Sequence, residues 1–329
     1  SSLLLFVVSV FSSSGFEEGD EITGKHELGD SLLIAIPFDP NQLQDIENPA
    51  LSARAEALSL VTVGLAYYSI DDFENAINYF TQAENIEGWF DSDGKEILYL
   101  LLGNTNIRAA SKDKNTELLN TSIQYYETAL DINSSYTRAI VGLAGTEYLK
   151  ALGDPSQNTF VDIDLELLEN SEELYFEALE TENPPASANI ETKVHFGLGQ
   201  IYLVKAQIFS DEWLSNAKNE FEQVTAEYAN GNQRITNLCG HAYARLGLIA
   251  RIDEDNPAAI DYYQNASELV SPFYQVYYLT RLAEVYASDN STDLAIETYE
   301  EAIDLAKFYG DASSVEKYSS RLNELIDQK

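Results

Sequence analysis

Methionine is absent from this sequence, and cysteine occurs once, at Cys239. One cysteine excludes an internal disulfide framework and any multi-cysteine zinc site. An ordinary methionine content of roughly 2% would supply several residues in a chain this long. A processed N-terminus would explain both the start at Ser1 and part of the methionine deficit. Low Cys and Met content also suits an oxidising exterior, so the expectation is a mature, exported protein, extracellular, at the cell surface or in the periplasm. Basic residues are scarce too: 19 Lys and Arg stand against 55 Asp and Glu, a formal net charge of −36. Nucleic acids and anionic membrane surfaces repel such a chain, which excludes them as main partners.

What is present is a substantial apolar fraction. Hydrophobic residues make up 45% of 329 residues, which excludes disorder throughout. The length allows one elongated domain or about two compact ones.

Residues 1–14 form an apolar N-terminal segment. Its unbroken run Leu3, Leu4, Leu5, Phe6, Val7, Val8 is six residues long, far short of the roughly 20 that span a bilayer. It is like a signal-peptide core without the basic n-region. The run is β-prone and suits an inserted extended segment. Residues 15–52 are expected to be a linker, rich at first in Gly, Glu and Asp. Within it Ser31–Phe38 (SLLIAIPF) is a short apolar run ended by Pro37 and Pro40. It is read as an edge strand or an extended segment packed on the first helices.

From about Ala53 onward apolar residues recur at helical spacing in paired segments, the signature of a repeat array. Val63–Ala83 is the clearest copy, with Leu60, Val63, Gly64, Tyr67, Phe73, Ala76, Phe80 and Ala83. Gly64 and Ala76 are small where two antiparallel helices approach, and Ile70–Asp72 makes the turn between them. The pattern returns in Leu279, Leu282, Ala283, Tyr286, Ala295, Tyr299 and Ala302, and in Tyr243, Leu246, Gly247, Ala250, Ala259, Tyr263 and Ala266. Asn256 and Pro257 suggest a cap and a first-turn proline for the second helix of that last copy. Three copies are stretched. Gly103 with Tyr126 and Ala129 is seven residues longer, Ala144 with Tyr175 and Ala178 fifteen, and Gly199, Tyr202, Ala217, Phe221 and Val224 six. The expected loop Asp154–Phe160 falls in the longest.

These residues resemble the tetratricopeptide-repeat (TPR) family. The resemblance implies an all-α fold, a TPR-type α-solenoid of about six helix pairs over residues 53–309. A C-terminal capping helix over 310–329 would close it, and an extended N-terminal segment would precede it. It further implies that the first helix of each pair lines an inner groove. Those inner positions would include Leu58, Val61, Leu65 and Tyr68, then Ile97, Leu100 and Asn104, then Val141, Gly145 and Tyr148, then Phe196, Gln200 and Leu203. Chaperone-binding members clamp a C-terminal carboxylate with Lys, Arg and Asn at such positions. Lys193 and Arg138 alone do not supply that set.

Chemistry is not signalled. His26, His195 and His241 have no metal-binding spacing. Cys239 shares an apolar stripe with Ile235, Leu238, Ala242 and Leu246, where it serves as a small hydrophobe. The acidic clusters Asp71-Asp72, Asp91-Ser92-Asp93, Asp162-Ile163-Asp164 and Asp253-Glu254-Asp255 lack the spacing of a calcium loop and are expected to be solvated surface. Aromatics and carboxylates could serve a sugar cleft, but no acid and nucleophile pair can be picked out. Sequons at Asn120, Asn133, Asn265 and Asn290 make glycosylation possible without signalling it. No cofactor and no catalytic or metal residue is expected.

The expectation is a non-catalytic scaffold, working through protein–protein contact with itself or with another protein's apolar or basic segment. The apolar donor would be Leu3–Val8, and the acceptor Leu58, Val61, Leu65, Tyr68, Leu100 and Phe196. Inserted into a neighbour's groove, the donor would give a head-to-tail polymer or filament. The alternative is a monomeric envelope or periplasmic adaptor for another protein's peptide. Charge opposes the polymer: at −36 per subunit, contacts must be charge-sparse or screened.

Overall fold

The computed structural model describes residues 49–86, 95–113, 115–153, 163–181 and 188–327. The donor Leu3–Val8, the Ser31–Phe38 run, His26, Asp91–Asp93 and the Asp154–Phe160 loop lie outside them. All thirteen α-helices among the described residues fall where the repeat pattern puts helices. The chain divides into two units, 1–194 and 195–329.

In the first unit α1 (Pro49–Ser69) pairs with α2 (Phe73–Glu84), α3 (Lys95–Asp113) with α4 (Glu117–Ile132), and α5 (Thr137–Ala151) with α6 (Leu165–Glu180). Each second helix also packs on the next first helix, α2 on α3 and α4 on α5. α7 (Ala188–Ile208) carries the division between the units, at Val194. In the second unit α8 (Glu212–Ala229) follows, then α9 (Thr236–Ile252) paired with α10 (Asn256–Leu269), and α11 (Pro272–Ser288) paired with α12 (Thr292–Tyr309). The last helix, α13 (Ala312–Asp327), packs on α12. α1 starts at Pro49, four residues earlier than the sequence suggested, because proline is favoured in a first helical turn.

Four of the pairs close around one aromatic ring each. A Cβ on Gly64 would stand 2.5 Å from the Phe80 ring, one on Gly103 2.6 Å from Tyr126, one on Gly199 2.8 Å from Phe221, and one on Gly247 3.0 Å from Tyr263. These glycines accept the cost of a helical Gly because only a bare backbone admits the ring. Tyr126 is gripped from both sides, since Gly142 of α5 would also clash with it at 2.5 Å.

One turn is reused between helices. Its N–H bridges five residues back: Asp72 to Tyr67, Asp255 to Ala250, Ser291 to Tyr286 and Asp311 to Ala306. The residue before each bridging N–H is left-handed: Asp71, Glu254 and Asn290 at φ 59° and Gly310 at 77°. This satisfies carbonyls at the end of one helix before the next begins.

The acidic residues at these sites are exposed or half-buried, and they also serve as turn and cap devices. Asp72 caps α2 by accepting from the N–H of Asn75, and Asp164 caps α6 from Glu166 and Leu167. The cap of α10 is Asp255, which accepts from Ala258 N–H, so Asn256 is already helical. An ionised carboxylate is the stronger partner for the positive end of a helix.

The stretched copies are stretched differently. α3 continues to Asp113, well past Gly103, whereas α1 stops at Ser69 soon after Gly64. The fourth pair lengthens its helices in the same way, with α7 reaching Ile208. In the third pair most of the added residues lie between α5 and α6. No described helix is long and apolar enough to cross a membrane.

Candidate functional site

First and second helices differ in character. The second helices α2, α4, α6 and α8 are amphipathic, each with four buried positions at helical spacing, such as Phe73, Ala76, Phe80 and Ala83. The first helices carry apolar side chains around most of their circumference. In α3 every residue from Leu98 to Ala110 except Asn104 is buried, and in α5 every residue from Ala139 to Tyr148 except Glu147. A helix apolar and buried all round has neighbours on every side.

The expected groove residues sit as follows. In the first unit Val61, Leu65, Tyr68 and Leu100 are buried within the main apolar cluster, which also holds Leu98, Leu102 and Ile107. Leu58 and Ile97 are half-buried. Val141, Gly145 and Tyr148 of α5 are buried. Phe196 belongs to the second unit, where it is buried edge-on to Phe221 with ring centroids 5.6 Å apart. The structure thus brings Val61, Leu65, Tyr68 and Leu100 together and places Phe196 in the other unit.

Polar groups punctuate this apolar face. Asn104 accepts a hydrogen bond from the Tyr126 hydroxyl at 2.7 Å. The Arg108 guanidinium lies 4.8 Å from the centroids of both Tyr68 and Phe73 and donates to Asp71. The Tyr68 hydroxyl oxygen is buried and has no hydrogen-bond partner among the described residues. An orphaned buried hydroxyl is uncommon, because leaving it unmade costs about 1–3 kcal/mol. Burial also raises the Glu147 carboxyl above its usual range, helped by nearby Glu127, and one of its oxygens is without a partner among the described residues.

In the second unit Gln200 is buried and accepts from the Arg245 guanidinium at 3.2 Å. His195 lies 2.7 Å from Glu220. His241 is buried, 2.7 Å from the Tyr278 hydroxyl and edge-on to Tyr274. Arg251 and Arg281 both pair with Glu284, and Arg281 also covers Tyr277. Cys239 is fully buried and burial pushes its thiol up to about 12, so it is not an activated nucleophile.

The sequons lie at varied positions. Asn120 and Asn290 are exposed, and Asn133 and Asn265 are half-buried. The serine of the Asn120 sequon, Ser122, is committed to the core, donating to the Gly103 carbonyl at 2.9 Å.

Sequence reasoning passed over Ser122 and its counterpart Ser171, which donates to the Ala144 carbonyl at 2.7 Å. Both stand four residues before the core tyrosine, where other copies have alanine, and that alignment was the available signal. Arg108 gave none, since its aromatic partners belong to the preceding pair.

The sequence pattern of the tetratricopeptide repeat matches residues 57–88 and 276–309, the regions of the first and last helix pairs. No curated protein matches the chain in sequence. Among solved structures, a chain of the APC/C hetero-tetramer Cut9–Hcn1 superposes with a TM-score of 0.58 at 16% identity, over 84% of this chain and 46% of that one. The present chain thus spans under half the length of that relative. A Rap protein complexed with competence and sporulation factor gives 0.50 at 15% identity, over 88% and 80%. Such identities speak for the fold alone. With the four glycine-to-ring pairs, the chain carries two matched tetratricopeptide repeats, and its fold among the described residues is all-α and of solenoid type, like those structures.

Proposed function

We propose that this protein is a non-catalytic scaffold whose first helices receive an extended apolar segment. The observation that carries the reading is the apolar cluster of α1 and α3, where Val61, Leu65, Tyr68 and Leu100 gather and the Tyr68 hydroxyl has no partner among the described residues. An extended peptide would add both apolar side chains and a carbonyl acceptor there.

The segment we assign is Leu3–Val8 of another copy, so that copies associate head to tail. Its six uncharged residues suit a contact between subunits that otherwise repel. We place the assembly outside the cytoplasm, supported by the single cysteine and the absence of methionine. Light scattering on the intact chain at moderate salt tests the reading. A multimer that reverts to monomer in the Leu5→Asp, Val7→Asp variant, with helical content unchanged, is the expected result. A monomeric parent chain overturns it.

A further inference from the structure

We infer that α13 is a docking helix. It presents the face of a seventh first helix, and on that face it receives a basic amphipathic helix of another protein. This face lies apart from the α1 and α3 cluster assigned above.

The register of the repeat comes first. The small residue of the first helix recurs at Gly247, Ala283 and Ser319, 36 residues apart each time. The neighbouring positions keep that spacing: Tyr243, Leu279 and Val315 four residues before, and Ala250, Tyr286 and Leu322 three after. By pattern α13 is a first helix, and not only a cap. In α9 and α11 the small residue seats a ring of the following helix. Gly247 lies against Tyr263, and Ala283 shares one apolar cluster with Tyr299.

Burial comes second. On α11 the seat is closed by α12: Val276 and Leu279 are each 5% exposed, and Ala283 0%. The corresponding residues of α13 are Ala312, which is exposed, and Val315 and Ser319, which are half-buried. Leu322 is half-buried too, and Ile326 is 46% exposed. These five residues recur at intervals of three and four, so they form one stripe along the helix. Tyr318, where α13 packs on α12, is the helix's one buried side chain. A helix that merely closes a solenoid turns a polar face outward.

Charge comes third, and it sets the chemistry of the occupant. Glu316 and Asp327 are exposed, three residues before Ser319 and eight after it. That spacing puts both on the edge of the stripe away from α12. Lys317 and Arg321 stand two residues either side of Ser319, on the opposite side of the helix, and Arg321 donates to Glu324 at 3.1 Å. An apolar stripe with an acidic edge fits a helix whose own apolar stripe is edged by Lys or Arg. The repeat supplies the anchor: an aromatic ring over Ser319, with small residues four before and three after it, as Ala295 and Ala302 flank Tyr299.

A helical probe tests this on the intact chain. The probe is a labelled synthetic peptide of the Thr292–Tyr309 sequence carrying Glu297→Lys, Glu300→Lys and Glu301→Lys. Fluorescence anisotropy should show saturable binding, and the amides of α13 should exchange more slowly with the peptide bound. Removing the anchor from the peptide by Tyr299→Ala should weaken binding about tenfold. Ser319→Phe in the chain, which fills the seat, should do the same. Ile326→Asp, at an exposed position that leaves the fold intact, is the second variant, and it too should weaken binding. The unmodified acidic peptide should bind less well than the basic one. Absence of binding overturns the inference. So does binding that Ile326→Asp leaves unchanged, or slowed exchange confined to other helices. A multimer of the peptide-free chain that Ile326→Asp dissolves assigns the stripe to a second copy and overturns it as well.

Discussion

Arg108 on α3 reaches back to Asp71, the left-handed residue of the turn between α1 and α2. Its guanidinium lies 4.8 Å from the centroids of both Tyr68 and Phe73, whose rings meet edge-on, and Lys112 adds a donation to the Asp71 carbonyl at 2.8 Å. The second helix pair is thereby pinned to the turn of the first. Arg108 is 7% exposed, so its charge depends on this partner. Arg108→Ala is expected to destabilise the chain by about 2–4 kcal/mol, from the stranded carboxylate and the lost ring contacts. Arg108→Lys should recover little of it, because an ammonium has no flat face to lay on the rings and presents no planar fork. Urea unfolding of both variants, with Asp71→Asn completing a double-mutant cycle, checks the coupling.

The glycine–ring contacts predict a graded series. Gly142→Ala places a methyl 2.5 Å from a ring that Gly103 already presses from the other side. It should cost about 2–3 kcal/mol, although alanine gains about 1 kcal/mol of helix propensity. Gly247→Ala meets Tyr263 at 3.0 Å. There the ring needs to give by a few tenths of an ångström, and the cost should fall below about 1 kcal/mol. Tyr126→Phe, which loses the hydrogen bond to Asn104, should cost about 1 kcal/mol. Thermal melts of the three variants decide the order.

The repeated turn separates three residues with the same backbone and different fates. Asp71, Glu254 and Asn290 all sit at φ 59°. A left-handed glutamate carries about 1 kcal/mol of strain that glycine does not. Glu254→Gly should therefore raise stability by about 0.5–1 kcal/mol, measured by urea midpoint. Asn290→Gly should gain less, because asparagine tolerates the left-handed region. Asp71→Gly should lose stability, since it removes the partner of Arg108.

The repeat was legible because it is written in spacing. Gly64, Phe80 and Ala83 recur as Gly247, Tyr263 and Ala266, and small-to-ring contacts leave a periodic mark. Even the stretched copies kept their core residues, since added residues went into helix ends or a connection. Asp71, Asp255 and Asp311 were harder to place. A carboxylate at a turn looks like any exposed acid until the bridging N–H and the cap are seen. The inner face was read only in part. Leu65 and Leu100 announced an apolar surface, but apolar residues on a groove and in a core are written alike. Their burial, the orphaned Tyr68 hydroxyl and the buried Gly145 needed three dimensions.

The C-terminal helix should respond to acid. Hydrogen bonds from Ser314, its hydroxyl first and its N–H second, hold the Asp311 carboxyl below the usual carboxylate range. A folded-state value below the unfolded one means stability that is present at neutral pH. That stability is lost as pH falls from about 4 through the lowered value. The amides of α13 should exchange faster relative to those of α12 at pH 3 than at pH 6. Asp311→Asn, which keeps a cap without the titration, should flatten the difference.

Cys239 offers a reporter of opening in the second unit. It is fully buried on α9, and burial pushes its thiol up to about 12. The thiolate is the reactive form. At pH 8 a free thiol is about one-quarter ionised, whereas burial keeps this one almost wholly protonated. Exclusion of reagent by the surrounding helix adds to that suppression. Labelling by an aromatic disulfide should therefore track exposure of α9 and be negligible in the native chain over minutes. It should become complete past the urea midpoint. Because it is the sequence's single cysteine, every equivalent of released thiolate belongs to one site. Rapid labelling without denaturant would mean that α9 opens locally, and a partner docking on the second unit should then slow it.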